Sequence, residues 1–221
     1  MQSITEVSTE SWHERTVKTI VSQLSETLRT RDHACLAVPG GQTARQVLPL
    51  LSHAPLAWNR ITVILTDERW VPPSHADSNE NLVRNTLLKD QARTVRLVGL
   101  KTHHGDPHQA LDEITTRLND LPWPLSVVFI GMGEDGHIAS LFPGDPAPPD
   151  DALVCICHAK DHIRVSLTPN ALLRAQTIVL AVSGPAKHQT LVQALQPGAA
   201  KDYPVRYVVH QDATPVIIYA D

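Results

Sequence analysis

Gly131-Met132-Gly133-Glu134-Asp135-Gly136-His137 sets an imidazole two residues after a carboxylate in a glycine-rich turn, directly behind an apolar run ending at Ile130. A histidine presented in this way is a candidate general base, since imidazole exchanges protons near neutral pH. Asp135 either orients that ring or satisfies N–H groups of the turn, both ordinary uses of aspartate. Other apolar runs end on equally informative residues. Val38 is followed by Pro39-Gly40-Gly41-Gln42-Thr43, a glycine turn entering a helix, whose free N–H groups and positive dipole end accept an anion; a plain strand-to-helix turn is the alternative. Leu65 is followed by Thr66-Asp67-Glu68-Arg69-Trp70, where three successive charges must each be paired or solvated, a structural salt bridge being the simpler reading. Ser183-Gly184-Pro185-Ala186-Lys187 puts Lys187 in a first helical turn, where a cation opposes the macrodipole unless an anion sits there. Arg164 lies among apolar neighbours, as a further cation of the site or as an edge-strand charge. Glycine-turn N–H groups, Arg69, Lys187 and Arg164 around one histidine, with no serine or cysteine nucleophile motif, describe a phosphate grip beside a general base.

These residues need strands to present them. The runs Ala34 to Val38, Ile61 to Leu65, Ser126 to Ile130 and Thr177 to Val182 are apolar on successive residues, as in a parallel sheet covered on both faces. Lesser strands are expected at Thr94 to Val98, Leu153 to Cys157, Ile163 to Leu167, Val205 to Val209 and Pro215 to Tyr219. Helical spacing joins Val17, Ile20, Val21, Leu24 and Leu28 behind the capping box Ser11-x-x-Glu14. Further helices are expected from Thr43 to Leu51, Ser78 to Leu88, Pro107 to Leu118, and from Pro185 onward. The alternation predicts an α/β fold, a doubly wound, mostly parallel sheet with helices on both faces, in a single domain over 1–221. Ligands of such sheets bind beyond the carboxyl ends of the strands, where every residue singled out above falls.

The chain has 221 residues, 42% hydrophobic and 19% charged, with a formal net charge of -4, so no bulk positive field favours nucleic acid or an acidic membrane. No apolar run reaches the ~18 residues of a membrane helix, and the opening MQSITEVSTESW lacks the basic and apolar regions of a leader, so a cytoplasmic protein is expected. The three cysteines, Cys35, Cys155 and Cys157, fit a reducing compartment better than a disulfide framework. Cys155, Cys157, His158 and His162 make a compact cluster with zinc-like spacing, but a strand there would turn His158 away from both thiols, and no metal is expected. Gly131-x-Gly133-x-x-Gly136 matches a dinucleotide fingerprint in letters only. The prolines from Pro143 stop the helix that fingerprint requires, and no carboxylate ends the next strand about 20 positions on.

The Gly40-Gly41-x-Thr43 turn, TDERWVPPSHADSN, GMGEDGHIASLFPG and SGPAK, in order between Ala34 and Lys187, resemble the 6-phosphogluconolactonases of the glucosamine-6-phosphate isomerase/6-phosphogluconolactonase family. The resemblance implies the sugar-phosphate isomerase/deaminase fold without a redox cofactor. It also implies hydrolysis of a small-molecule sugar-phosphate lactone, 6-phospho-D-glucono-1,5-lactone, to 6-phospho-D-gluconate, the second step of the oxidative pentose phosphate pathway. By position His137 corresponds to the family's base, and Arg69 and Lys187 to its substrate-binding cations. Asp77-Ser78-Asn79 also follows the family pattern, so Ser78, itself a natural helix N-cap, and Asn79 join Gly40, Gly41, Gln42, Thr43, Asp67 and Arg164 as expected substrate contacts. The first turn departs from the family's serine-glycine-glycine-serine-threonine-proline: Pro39, Gln42 and Ala44 stand where the serines and proline would be. Backbone N–H groups of Gly41, Gln42 and Thr43 do not depend on those side chains. A glucosamine-6-phosphate deaminase would continue its Asp-Gly-His turn to a glutamate, whereas this chain continues Ala139-Ser140-Leu141-Phe142-Pro143. A non-catalytic sugar-phosphate-binding protein would not need the imidazole.

Overall fold

The computed structural model describes residues 10–220. The opening residues read above for a leader lie, up to residue 9, outside the described residues. In chain order the elements are Trp12–Thr30 (α1), Ala34–Val38 (β1), Gly41–Ser52 (α2), Ile61–Leu65 (β2), Asp67–Arg69 (β3), Asn79–Thr86 (α3), Arg96–Val98 (β4), Leu111–Asn119 (α4) and Leu125–Gly131 (β5). Then follow Val154–His158 (β6), Ile163–Leu167 (β7), Pro169–Leu173 (α5), Ala175–Val182 (β8), Pro185–Ala194 (α6), Arg206–Val209 (α7) and Val216–Ala220 (β9).

The main sheet has the order β4-β2-β1-β5-β8-β9, every pair parallel. β1 and β2 are buried along their whole length, which covers both faces of the sheet and explains why their sequences are apolar without alternation. The flanking helices start and bury as their patterns dictate. Ser11 and Glu14 form the reciprocal capping box of α1, and Ile20 and Leu24 are fully buried, with Val17, Val21 and Leu28 packed at the margin of the core. From β1 the chain winds through β2 to β4 at one edge, then returns to β5 on the other side of β1. The crevice beyond the ends of β1 and β5 is therefore the topological switch point.

Three features differ from the sequence expectation. β6 and β7 do not extend the main sheet; with β3 they form a separate antiparallel sheet, order β3-β7-β6. Strand patterns show which segments are extended, and not which neighbours take up their N–H and C=O groups. β3 itself is three charged residues, too short and polar to carry a periodic signal. Arg164 consequently lies on the central strand of this sheet, not at an edge. The second correction concerns Val205 to Val209, expected as a strand for its valines. Residues Arg206–Val209 instead form a helical turn, because buried Arg206 donates to the carbonyls of Gln193, Ala194, Gln196 and Ala199 and so closes the carboxyl end of α6. Similarly, Asp90–Thr94 is a 3-10 turn, and the strand expected from Thr94 begins at Arg96.

Candidate active site

Four strand ends of the main sheet and the small antiparallel sheet open onto one cleft. It is lined by Gly40, Gly41, Gln42 and Thr43 after β1, by Asp67 and Arg69 of β3, and by Asn79 at the start of α3. The turn after β5 contributes Gly133, His137 and Ala139, β7 contributes Arg164, and the first turn of α6 contributes Lys187. Residues scattered over about two thirds of the chain thus meet as the sequence reading expected. Asp135 and Ser78 are the exceptions, since neither lines the cleft.

Asp135 stands behind the imidazole. Its Oδ1 lies 2.6 Å from His137 Nδ1 and accepts the His137 backbone N–H at 3.1 Å, so it both orients the ring and satisfies the turn. Burial pushes the Asp135 carboxyl up, but the His137 backbone N–H and imidazole outweigh it and hold the carboxyl below the usual carboxylate range. With Nδ1 turned to Asp135, the neutral ring has Nε2 as its acceptor, and that atom has no hydrogen-bond partner among the described residues. The fit depends on Gly133, where a Cβ would overlap Nδ1 of His137. Phe142 supports the ring from the side, with centroids 4.9 Å apart. No helix follows the glycines of this turn. Ala139 takes the left-handed conformation, φ 49°, which a residue with a Cβ seldom adopts, and this aims Ser140 back into the fold. The buried Ser140 hydroxyl donates to Asp67 Oδ2 at 2.6 Å, and its N–H to Ser166 Oγ at 3.1 Å. The turn that carries His137 is thereby fastened to the small sheet, a role for Ser140 that no local sequence pattern announces.

Glu68 answers the question of the three consecutive charges without any salt bridge. It is fully buried and accepts from the N–H groups of Arg69, Asn79 and Glu80 at 2.7–2.8 Å and from the Ser78 hydroxyl at 3.0 Å. Burial pushes its carboxyl up, while these donors pull the other way. Ser78 makes this contact and caps α3 through the Asn81 N–H, so it lies behind the cleft lining and not in it. Glu68→Ala should leave several buried donors unpaired and lower unfolding free energy by about 3 kcal/mol. Urea denaturation checks this, an unchanged midpoint counting against the role.

The remaining groups bring cations and unpartnered N–H donors to the cleft. In the β3–β7 register Arg69 lies directly opposite Arg164, so two like charges share one face at cross-strand contact distance. Arg69 donates to the Asp77 carbonyl at 2.6 Å and Arg164 pairs with both oxygens of Asp161 at 2.9 Å, yet the Nε–H of each arginine is buried without a partner. Burial pushes the Asp161 carboxyl up, and Arg164 overrides this to hold it low. Neither Arg69 nor Lys187 has a carboxylate partner among the described residues. α2 begins at the cleft with Gly40 as N-cap and no side-chain cap on its first N–H groups. Gly40 also has to be glycine because Asn79 occupies the space of a Cβ; Asn79 donates to the Asp67 carbonyl at 2.9 Å and keeps Oδ1 buried and unpaired.

Fold and cleft together define a parallel α/β protein with a crevice at its switch point lined by Arg69, Arg164 and Lys187 and a histidine–aspartate pair beside it. Residues 8–217 match the family described as glucosamine-6-phosphate isomerases/6-phosphogluconolactonase, and the chain belongs to that family. It is 38% identical over 195 residues to a 6-phosphogluconolactonase of Pseudomonas aeruginosa, covering 85% of this chain and 82% of that one. Identity to a 6-phosphogluconolactonase of Pseudomonas putida is 36% over 208 residues, covering 90% and 84%. A crystal structure of a 6-phosphogluconolactonase from Shewanella baltica OS155 superposes with a TM-score of 0.91 at 32% identity, covering 95% of this chain and 92% of that one.

Proposed function

We propose that this chain hydrolyses 6-phospho-D-glucono-1,5-lactone to 6-phospho-D-gluconate, as an enzyme of the pentose phosphate pathway. The observation that carries this reading is the Arg69–Arg164 pair: two opposed cations with unpartnered buried N–H groups, facing a cleft that also holds an imidazole with a free Nε2. A phosphate dianion relieves the repulsion and supplies the missing acceptors. Arg69, Arg164, Lys187 and the N–H groups of Gly41, Gln42 and Thr43 hold that phosphate, with Asp67 and Asn79 on the sugar hydroxyls. A six-membered lactone is an activated ester and needs no covalent intermediate. Neutral His137 takes a proton from water as the water oxygen attacks C1, and Asp135 stabilises the imidazolium. Collapse of the tetrahedral intermediate breaks the bond from C1 to the ring oxygen, which receives the proton from His137. The step requires no redox change. No helix among the described residues is long and apolar enough to cross a membrane, which fits the proposed place in the cytoplasm.

Asp67 is the single carboxylate among the residues lining the cleft, and it is already bonded to Ser140. That leaves no second acid–base group for ring opening and ammonia loss, so deamination of glucosamine 6-phosphate is not expected. The deciding experiment supplies lactone freshly made by glucose-6-phosphate dehydrogenase and follows 6-phosphogluconate through the next dehydrogenase. Acceleration over spontaneous opening supports the reading; ammonia release from glucosamine 6-phosphate without lactone hydrolysis, or binding of 6-phosphogluconate with no acceleration of lactone opening, overturns it. Lys187→Ala should raise KM about tenfold or more and spare kcat, since one charge-assisted hydrogen bond contributes about 1.5–3 kcal/mol. Steady-state kinetics with an unaltered KM would remove Lys187 from the phosphate site.

A further inference from the structure

Cys155 and Cys157 occupy alternate positions of β6, so both side chains leave the same face, and their sulfurs lie 3.7 Å apart. That separation is close to the ~3.8 Å between two thiolates on one tetrahedral centre with bonds of about 2.3 Å. Among the described residues the pair belongs to no larger group of His, Cys, Asp or Glu donors, so it does not provide the three or four ligands of a resident metal site. It suits a thiophilic centre that takes two sulfurs and brings its third substituent with it. Trivalent arsenic carrying one organic group is such a centre; being pyramidal, with narrower bond angles than a tetrahedral ion, it draws the two sulfurs slightly closer together than they stand here.

The position of the pair connects it to the cleft. β6 pairs with β7, placing Cys155 opposite Ser166 and Cys157 opposite Arg164; β7 pairs with β3, placing Ser166 opposite Asp67 and Arg164 opposite Arg69. Directly opposed residues share a face, so the two sulfurs continue two cross-strand rows that end in the cleft. Cys157 lies near enough to Asp67 for that carboxylate to disfavour its thiolate. Ser166 and Asp67 are also the two groups that fasten Ser140 and with it the His137 turn.

We propose that Cys155 and Cys157 form a dithiol site for a mono-organic trivalent arsenical, and that occupation of this site stops turnover in the adjoining cleft. Two arsenic–sulfur bonds form, the arsenic–oxygen bond of the oxide breaks, and both thiol protons leave with that oxygen as water; nothing is oxidised or reduced. Half-buried Cys155 reacts first, its thiol lowered because the Cys157 S–H donates to it, and the second sulfur closes the chelate. The third cysteine is a built-in control: Cys35 is buried in β1 and its thiol is pushed up to about 12 by desolvation.

The test treats the folded protein with phenylarsine oxide and reads intact mass, peptide mapping of masked thiols, and lactone turnover. One equivalent should add, masking Cys155 and Cys157 together, with at least a tenfold loss of kcat/KM, the scale of effect that an ångström-sized displacement near a site produces, about 10²-fold at its upper end. 2,3-Dimercaptopropanol should restore turnover and an equal thiol concentration of 2-mercaptoethanol should not. Cys155→Ser and Cys157→Ser should each lose the adduct that resists 2-mercaptoethanol, and Cys35→Ser should behave as the parent does. No adduct on the folded parent, an equally resistant adduct on either single variant, or a full adduct with unchanged turnover would overturn the proposal. The inhibition arm rests on the lactone reading and the mass arm does not. A resistant two-sulfur adduct on a chain that shows no lactone hydrolysis would support the site and refute the proposed function.

Discussion

Replacing His137 by asparagine should lower kcat by at least ~10²-fold, the usual scale for removing a general base, while leaving the fold intact. Asparagine can keep an N–H toward Asp135, so the turn from Gly133 to Ser140 retains its main hydrogen bonds, including the Ser140 link to Asp67. What disappears is the basic Nε2 facing the cleft. KM should change little, because the ring is assigned to proton transfer and not to holding the phosphate. The measurement is steady-state hydrolysis after subtraction of spontaneous lactone opening, on variant protein whose urea midpoint matches the parent. Near-normal turnover in a folded variant would transfer the base role to another group.

Removing the 6-phosphate from the substrate should cost more still. D-Glucono-1,5-lactone offers the same carbonyl and ring but no dianion, so Arg69 and Arg164 stay opposed on adjacent strands with their buried Nε–H groups unpaired. Several charge-assisted hydrogen bonds of about 1.5–3 kcal/mol each are lost, which makes a fall in kcat/KM of ~10³-fold or more the expected result. Part of the fall should appear in kcat, because the phosphate anchors C1 near His137 from the far end of the sugar and a loosely held lactone spends less time aligned for attack. Parallel assays of the two lactones, each corrected for its own spontaneous rate, decide the matter. Equal kcat/KM values would mean that the paired arginines serve some anion other than the substrate's phosphate.

The four buried strands were legible in the sequence because a strand covered on both faces must be apolar at successive positions, and Ala34–Val38 and Ile61–Leu65 match the expected ends residue for residue. The capping box at Ser11 and Glu14 was legible for a similar reason: the contact is made within one turn, so the chain that makes it also displays it. The cleft was legible because the first residues after parallel strands must converge at the carboxyl edge of the sheet, whatever the details of packing. His137, Arg69 and Lys187 could therefore be placed near one another from strand ends alone.

Other roles depended on partners distant in sequence. Glu68 reads as one of three adjacent charges, and only the approach of the α3 amino terminus makes it the acceptor of four hydrogen bonds. The valines of Arg206–Val209 favour a strand, but no neighbouring edge is offered to them, and the buried guanidinium of Arg206 fixes a helical turn instead. By itself, then, the sequence determined the buried strands, most of the helices, the glycine-rich turn that carries His137 and the family, since these follow from local periodicity and from residues within one motif. The tertiary structure decided that β3, β7 and β6 form their own sheet, and with it that Arg69 faces Arg164 and that the two thiols of β6 share their face. Strand pairing is a long-range choice: backbone donors and acceptors are alike in every strand, so which chains meet is settled by packing of the whole molecule and not by the residues of any one segment.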